Sequence, residues 1–408
     1  MRRFLLVGSN FSGLAQYLSQ TGDDYIVLKD RLHVRAPDRR LKRRVVCDFS
    51  SRAAILQCVD TIKQPIDGVM TIYENYALPA AWIAKHLGLP GMPLTSIEAC
   101  TDKFLMRQLF AHASEKISPD FALIENEAQL LDFAATHDFP LIIKPANLAK
   151  SLLVTKNNDH DELLANYRNT LSHIDAVYRK YAPHRQPRIL VEEFMIGSVH
   201  SVDAFVDGQG VPHILEHIVD YETGYDVGFD DNFHYSRLLP SRLSPTEQTA
   251  LYHCGELGVR ALGMRNSPAH VEVIMTTEGP RIVEIGARNG GYRARMHRLA
   301  NGIDLHGAAI ELAVGHTPQI TATKDEPCAV LELFPKREGT FVEITQEKAL
   351  RALPSLSEMN VKVEPGDKVG KSSNGYKMCA VVILHHSDQA QFDRDLAWVR
   401  QHVRVVVK

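Results

Sequence analysis

Short apolar runs alternate with helix-like spacing through residues 1–92. The apolar runs predict β-strands at residues 4–7, 25–28, 44–48 and 68–73, and helical spacing lies between them at residues 53–62 and 77–87. Alternation of this kind predicts a doubly wound parallel sheet. Residues 88–93 are Gly-Leu-Pro-Gly-Met-Pro, a cluster of helix and strand breakers that predicts the end of this first domain.

The rest of the chain mixes strands and helices, which predicts α+β structure after the α/β part. Thr95 and Glu98 fit a capping box and predict a helix that begins at Thr95. An apolar strand ends in Lys144, and strands predominate from residue 189 to residue 219. A Gly- and Asp-rich loop is expected at residues 221–232, before a helix at residues 245–262.

Composition narrows the kinds of partner. The 408 residues are 45% hydrophobic and 23% charged, which is typical of a folded chain with several domains. Lys+Arg 46 and Asp+Glu 49 leave a net charge of −3, so no overall basic charge favours nucleic acid or an anionic membrane. No apolar run is long enough for a membrane span. We therefore expect a small-molecule partner, no nucleic acid and no membrane.

The cysteines and the first residues predict a reducing compartment. The apolar run after Met1-Arg2-Arg3 is too short for a secretory signal, so a cytoplasmic location is expected. No CxxC pair and no Cys/His cluster is present, which argues against a zinc ribbon or a disulfide framework. We expect free, buried thiols at the six cysteines: Cys47, Cys58, Cys100, Cys254, Cys328 and Cys379.

A β-hairpin is predicted by two β-prone segments, residues 271–275 and 281–285, that flank a turn containing Gly and Pro. If the strands pair symmetrically about residue 278, Glu272 lies opposite Glu284, with Cβ atoms about 5 Å apart. Two carboxylates this close favour a cation between them, and Mg²⁺ takes one or two carboxylates plus phosphate oxygens. A solvated face with two glutamates would show the same pattern. The opposite, apolar face is expected to contain Val271, Val273, Val283 and Ile285.

Groups suited to an anion surround this hairpin in the sequence. Arg288 follows Glu284 by four positions, and Gly290 and Gly291 then open a loop whose N–H groups can face an anion. An arginine beside a phosphate stabilises charge that develops in phosphoryl or acyl transfer. Upstream, Lys103 and Lys144 supply cations of the kind that a triphosphate needs, although a lysine at a strand end is commonly only solvated.

In this order the segments resemble the ATP-grasp superfamily of carboxylate–amine ligases, over most of the chain. The resemblance rests on the first α/β domain, the Glu272/Glu284 hairpin and residues 101–104, 140–145, 190–194 and 284–291. Glu-Ile-Gly-Ala-Arg-Asn-Gly-Gly at residues 284–291 is similar to L-amino acid ligases, which make dipeptides, and to related ligases of peptide natural products. The fold it implies has an amino-terminal α/β domain (1–92), two grasp subdomains (93–190 and 191–315) and a carboxyl-terminal α+β unit (316–408).

The resemblance also implies ATP and Mg²⁺ as cofactors, with Mn²⁺ able to substitute, and gives roles to residues of this chain. Glu272 and Glu284 would hold the metal, and Arg288 and Glu284 would be catalytic. ATP would be bound by Lys103, Lys144, Lys150, Ser151, Glu192, Glu193, Phe194 and Met195, with Glu192 and the backbone of residues 193–195 meeting the adenine edge. The Gly290-Gly291 loop would receive a substrate carboxylate.

Further substrate contacts are suggested by polar residues on either side of the hairpin. Substrate specificity is expected in residues 221–237, where Asp231 and His234 are candidates for binding a cationic side chain or an α-amine. Arg293 and Arg295 are candidates for binding a second carboxylate. Simple solvation of the loop and of a helix surface remains the alternative in each case.

Three positions depart from the family pattern. The flap at residues 146–151 has no glycine, so either Lys150 and Ser151 replace backbone contacts or the flap is stiffer than usual. Val199 stands where an acidic residue would bind ribose. Gly286 stands where an Asn often follows the second metal glutamate, which leaves a second Mg²⁺ open.

The expected reaction joins the carboxylate of an amino acid or small acid to an amine through an acyl phosphate. Another ATP-grasp chemistry, of the carboxylase or purine-pathway type, is one alternative, and a nucleotide-binding protein without catalysis is another. A nicotinamide dehydrogenase is a third alternative. It is weakened because Gly8 and Gly13 do not form the GxGxxG motif of dinucleotide-binding proteins. A homodimer is also left open.

We expect Glu284→Gln or Arg288→Ala to abolish ADP formation while the protein still folds, because both side chains act on charge that develops in the reaction. ADP formation and circular dichroism of the purified variants would test this. Turnover at the wild-type rate in either variant would contradict the site assignment.

Overall fold

The structure is a computed structural model that describes residues 1–8, 12–33, 43–148, 152–182, 185–229 and 231–408. Residues 9–11 of the first glycine loop, and Lys150 and Ser151 of the predicted flap, lie outside these ranges. Among the described residues, no helix combines the length and the apolar character needed to cross a membrane. The six cysteines are free, and all except Cys58 are buried.

The amino-terminal part is built on a four-stranded sheet. Its elements are β1 (Arg3–Val7), α1 (Ser12–Thr21), β2 (Asp24–Asp30), β3 (Arg44–Cys47), α2 (Arg52–Asp60), β4 (Gly68–Met70) and α3 (Glu74–Leu87). The strands are parallel in the order β3-β2-β1-β4, which confirms the predicted parallel sheet. Helix α3 begins at Glu74, just beyond the carboxyl end of β4, where ligands commonly bind in folds of this kind.

Two short helices follow, α4 (Leu94–Cys100) and α5 (Lys103–Phe110). The predicted capping box at Thr95 is wrong, because α4 begins one residue earlier, after Pro93, and Thr95 lies inside the helix. Proline has a fixed φ that suits a helix entry, so Pro93 sets the start without a side-chain cap. The side chain that does cap a helix here is Asp102, which accepts backbone N–H bonds from the first turn of α5. Lys103 is therefore the first residue of a capped helix.

The next unit contains a second four-stranded sheet. Its elements are β5 (Phe121–Ile124), α6 (Glu127–Ala134), β6 (Leu141–Pro145), β7 (Thr155–Asn157), α7 (His160–Tyr181) and β8 (Ile189–Glu193). The strands are antiparallel in the order β5-β8-β6-β7. Lys144 on β6 and Glu192 on β8 are thereby brought onto neighbouring strands.

The largest sheet has nine strands. The chain enters it with β9 (Gly197–Val206), β10 (Pro212–Ile214), β11 (Val219–Thr223), α8 (Gly224–Val227), β12 (His234–Leu239), α9 (Pro245–Ala261), β13 (Ser267–Thr276), β14 (Gly279–Gly286), α10 (Arg293–Ala300) and α11 (Leu305–Ala313). The remaining elements are β15 (Cys328–Leu333), β16 (Gly339–Ile344), α12 (Glu347–Arg351), β17 (Leu356–Val361), β18 (Lys368–Val369), β19 (Ala380–His385), α13 (Gln389–His402) and β20 (Val405–Val407). The sheet order is β14-β13-β9-β11-β12-β15-β19-β17, with β10 paired to β9, so carboxyl-terminal strands extend the sheet that carries the glutamate hairpin.

The predicted loop at residues 221–232 is partly wrong. Strand β11 continues to Thr223, and α8 follows it, because Thr223 and Asp226 form a reciprocal capping box. His234 is the first residue of β12 rather than part of a loop. It therefore has a fixed place on the sheet, in register with Thr223.

A packed core supports the glutamate hairpin from behind. Helix α9 covers β13 and β14, and Ile282 and Ile285 are fully buried beneath it. A Cβ atom at Gly258 of α9 would lie 2.3 Å from the Ile282 side chain, so this glycine allows close packing. Val283, which was predicted on the apolar face, is only partly buried, and Ile282 takes its place there.

We expect Ile285→Ala to lower the free energy of unfolding by about 2–5 kcal/mol, because it leaves a cavity under the hairpin. Denaturant unfolding would measure the change. Leu171→Ala is the matched control, since Leu171 is 47% exposed, and it should cost much less. Equal effects of the two substitutions would contradict this account of the core.

Candidate active site

Glu272 and Glu284 are directly opposite each other on the hairpin, which confirms the predicted register. The turn is shorter than predicted, however, because Thr276 pairs with Gly279. Continued without interruption, that pairing would place Glu272 opposite Val283. A bulge between the Glu272–Glu284 pair and the next pair, Val273–Ile282, adds one residue to β14 and restores the alignment of the two carboxylates.

Glu272 is held by a chain of buried polar groups. The His270 Nε2 atom is 3.3 Å from Glu272 Oε1, and His270 Nδ1 is 2.6 Å from Asp203 Oδ1. The Tyr221 hydroxyl also donates to Glu272, at 3.5 Å. Burial alone would raise the pKa of Glu272, but the hydrogen bond from His270 and nearby positive charge hold it below its ordinary value. Glu272 is therefore a carboxylate at neutral pH.

Glu284 is paired with a lysine from a different unit. The Lys103 Nζ atom is 3.1 Å from Glu284 Oε2 and also donates to the Leu148 carbonyl at 3.3 Å. The Lys103 ammonium holds the pKa of Glu284 below its usual range. Burial would lower the pKa of Lys103, but Glu284 outweighs that effect and raises it. Both groups are therefore charged, and Lys103 links α5, the base of the predicted flap and the hairpin.

Lys144 lies in a buried charge cluster with Glu192 and Arg107. Lys144 Nζ donates to Glu192 Oε2 at 2.5 Å. Arg107 donates to both oxygens of the same carboxylate, from Nε at 3.0 Å and from Nη2 at 3.3 Å. Burial lowers the pKa of Lys144 to about 8, although Glu192 acts in the opposite direction. The predicted contact of the Glu192 side chain with adenine needs correction, because this carboxylate is buried and already binds two cations.

Arg288 is paired with a carboxylate from the amino-terminal unit. Its Nε atom is 3.0 Å from Glu74 Oε2, and its Nη1 donates to the Asn289 carbonyl at 3.1 Å. Burial raises the pKa of Glu74. Burial would lower the pKa of Arg288, but Glu74 reverses this and raises it. The pair places one positive and one negative group beside Glu284. The charge of Glu284 raises the pKa of both Glu74 and Arg288.

The glycine loop lies against the buried polar groups. A Cβ atom at Gly290 would lie 2.5 Å from the His270 ring and 2.8 Å from Arg293, whereas nothing lies within 4 Å of one at Gly291. Gly290 is therefore required for close approach to His270. Its partner Gly291 borders open space, which leaves room for a ligand.

Arg293 does not offer its guanidinium to a ligand, which corrects the prediction that it binds substrate. It is completely buried, and Nε donates to Asp203 at 3.0 Å. Its Nη2 donates to Ser201 and Tyr221, at 2.8 and 2.7 Å. Its Nη1 faces the Gly291 carbonyl at 3.4 Å and the sulfur of Met296 at 3.6 Å. With acceptors on all three nitrogens, Arg293 acts within the fold by holding the groups behind Glu272 in place.

The other three predicted substrate-binding side chains, Arg295, Asp231 and His234, lie in three different surroundings. Arg295 faces the carboxyl-terminal strand β17, 3.5 Å from Glu358. Asp231 accepts hydrogen bonds from its own segment, including the Tyr235 hydroxyl at 3.0 Å. His234 packs on the Tyr221 ring with centroids 4.0 Å apart, and burial lowers its pKa. Of the three, His234 is the one near Glu272, which acts on its pKa in the opposite direction to burial.

The predicted adenine segment connects the two antiparallel sheets. Glu193 ends β8, and Phe194 and Met195 follow in the short connection to β9. The Phe194 N–H donates to the Pro140 carbonyl at 3.2 Å, which fixes the segment against β6. Lys156 lies over the Phe194 ring, 4.4 Å from its centre. The segment thus connects the sheet that contains Lys144 to the sheet that contains the glutamate hairpin.

The hairpin fits a hard divalent cation. Glu272 and Glu284 are both ionised and present oxygen atoms, the ligand type that Mg²⁺ prefers. A different group, Asp120, His137 and Glu193, also brings ligand atoms within 4.8 Å of one another. Lys116 lies 3.1 Å from Asp120 and 3.6 Å from Glu193, so a protein cation already pairs with both carboxylates of that cluster.

Several residues of this site were not predicted from the sequence. His270 precedes Glu272 by two positions and so shares its strand face, and Arg107 follows Lys103 by four positions on one helix. Both signals were available. Glu74 starts a helix after a parallel strand, which is a weaker signal. Asp203 and Ser201 are two positions apart on β9 and so share one face, but nothing in the local sequence indicates that Arg293 packs against them.

Comparisons with known proteins match two parts of the chain to described domain families. Residues 137–295 match the family described as ATP-grasp domain, and residues 332–408 match L-amino acid ligase C-terminal domain 2. Alanine–anticapsin ligase of Bacillus amyloliquefaciens is 23% identical over 308 residues, covering 71% of this chain and 64% of the relative. The chain thus spans less than two thirds of that relative, and 62% of another curated protein that it matches.

Solved structures share the fold across the whole chain. The L-amino acid ligase from Bacillus licheniformis has a TM-score of 0.81 at 18% identity and covers 100% of this chain and 99% of that one. N5-carboxyaminoimidazole ribonucleotide synthetase from Thermotoga maritima has a TM-score of 0.69 at 15% identity, with 100% of both chains covered. At these identities the likeness concerns the fold. Together with the two matched domains, it shows that the chain has an ATP-grasp fold similar to that of an L-amino acid ligase.

Proposed function

We propose that the protein is an ATP-dependent ligase that joins the carboxylate of an amino acid or small acid to an amine. We expect the amine to be that of a second amino acid. The observation that carries the proposal is the convergence of two opposed carboxylates, two lysines and an arginine. Glu272 and Glu284 face each other, with Lys103 beside Glu284. Lys144 and Arg107 together carry two positive charges against one on Glu192, and a buried excess of positive charge suits a phosphate chain.

Activation of the acid would be the first step. A carboxylate oxygen attacks the γ-phosphorus of ATP, the bond to the β–γ bridging oxygen breaks, and ADP leaves. Lys103 and Lys144 would neutralise phosphate charge during this transfer. Mg²⁺ held by Glu272 and Glu284 would supply further neutralisation. The products of the step are ADP and an acyl phosphate.

Capture by the amine would complete the reaction. The nitrogen attacks the acyl carbon, a tetrahedral oxyanion forms, and phosphate leaves as the amine loses a proton. Arg288 and the N–H groups at Gly290 and Gly291 would stabilise the oxyanion. The ion pair of Glu74 with Arg288 supports an amino acid as substrate. The ammonium group of the amino acid would face Glu74, and its carboxylate would face Arg288. His234 would line the same pocket.

The deciding experiment is phosphate release from ATP and Mg²⁺ across a matrix of paired amino acids, with mass detection of the products. We expect release that requires a specific pair, and a product whose mass is the sum of the two amino acids minus water. Release that depends on bicarbonate instead would favour the carboxylase or purine-pathway chemistry of other ATP-grasp proteins. ATP binding without release under any condition would favour a nucleotide-binding protein.

Nucleotide affinity should fall as the pH rises through about 8, where Lys144 loses its proton. The ammonium form, present below that pH, attracts phosphate, whereas the neutral amine above it does not. We expect about a tenfold weaker binding of ADP once Lys144 is neutral, measured by calorimetry across this range.

Lys144→Arg is the control, because a guanidinium stays charged throughout this range. Its ADP affinity should lack the transition near pH 8. A transition of the same size in the variant would assign the titration to another group.

A further inference from the structure

Arg107 contacts both sides of the proposed site while touching neither substrate nor metal ligand directly. It is completely buried on α5. Its Nε and Nη2 atoms hold the Glu192 carboxylate, which in turn binds Lys144. The same Nη2 atom donates to the Val283 carbonyl at 2.8 Å, within β14. One side chain thus joins the lysine of the second sheet to the glutamate hairpin of the third.

The contact at Val283 falls on the residue that sets the register of the hairpin. Val283 is the extra residue of the bulge, so it has no opposite partner on β13. A slip of one residue in a strand turns every side chain to the other face of the sheet. Loss of the bulge would therefore take Glu284 away from Glu272. The Arg107 guanidinium binds the bulge carbonyl and so favours the register in which the two carboxylates meet.

We infer that Arg107 is a positioning residue that couples the lysine side of the site to its metal side. Its contact with Glu192 orients Lys144 towards the phosphates, and its contact with Val283 keeps Glu284 facing Glu272. Lysine cannot replace it fully, because one ammonium cannot make the paired bonds to a carboxylate and also reach the carbonyl. The inference rests on the proposed function, since it concerns how that site is assembled.

Binding measurements without turnover test the coupling. The probes are Mn²⁺ in the absence of nucleotide, followed by electron paramagnetic resonance, and ADP, followed by calorimetry. Arg107→Met should weaken Mn²⁺ binding by about tenfold or more, the effect commonly seen when a residue that orients a metal ligand is lost, and should weaken ADP binding as well. Glu192→Gln retains the Arg107–Val283 bond. It should weaken ADP binding and leave the Mn²⁺ affinity within about twofold.

Arg260→Met is the matched control, since Arg260 is 51% exposed and pairs with Glu256 on the surface of α9. Both affinities should be unchanged in it. Arg107→Lys keeps a buried positive charge and carries the test if the methionine variant does not fold; it should show a partial loss of both affinities. Wild-type Mn²⁺ affinity in the folded Arg107 variants, or an equal loss in Glu192→Gln, would overturn the coupling. Failure of the wild-type protein to bind Mn²⁺ and ADP would instead overturn the proposed function.

Discussion

The site depends on holding two like charges face to face. Glu272 and Glu284 are directly paired across a hairpin, and two carboxylates in this position repel unless positive charge compensates them. The compensation comes from elements far apart in the sequence. Lys103 on α5 neutralises Glu284, and His270, oriented by Asp203 on β9, donates to Glu272. The hairpin is therefore stable only when the sheets and α5 have assembled around it.

The same principle connects the units of the chain. Three ion pairs join distant segments: Lys103 with Glu284, Arg107 with Glu192, and Arg288 with Glu74. Removing one partner of a buried pair leaves an uncompensated charge, which costs far more than the intact pair contributes. The Arg107–Glu192 pair is fully buried and thus penalises a partly assembled structure, whereas the other two pairs are partly exposed and do so less. The site is consequently a junction of the units built on the two four-stranded sheets and the nine-stranded sheet, rather than a feature of any one of them.

Local patterns in the sequence predicted the elements better than their contacts. The period-two alternation around Glu272 and Glu284 located the hairpin, and the pairing was right although the turn was not. A turn one residue too long and an unforeseen bulge offset each other. Arg293 was misjudged for a different reason. Its position after a glycine loop suggested an exposed cation, but burial is decided by β9 and β11, which pack on it from 70 to 90 residues away.

The two adjacent glycines show how packing and function can be separated at such a junction. A glycine-rich loop suggests an anion site, and that argument treats Gly290 and Gly291 alike. The structure distinguishes them, because a side chain at Gly290 would collide with the His270 ring, whereas one at Gly291 would meet nothing. Gly290 is thus explained by the need to bring the loop against the histidine that holds Glu272. The steric reason does not extend to Gly291, so packing explains one glycine of the pair and not the other.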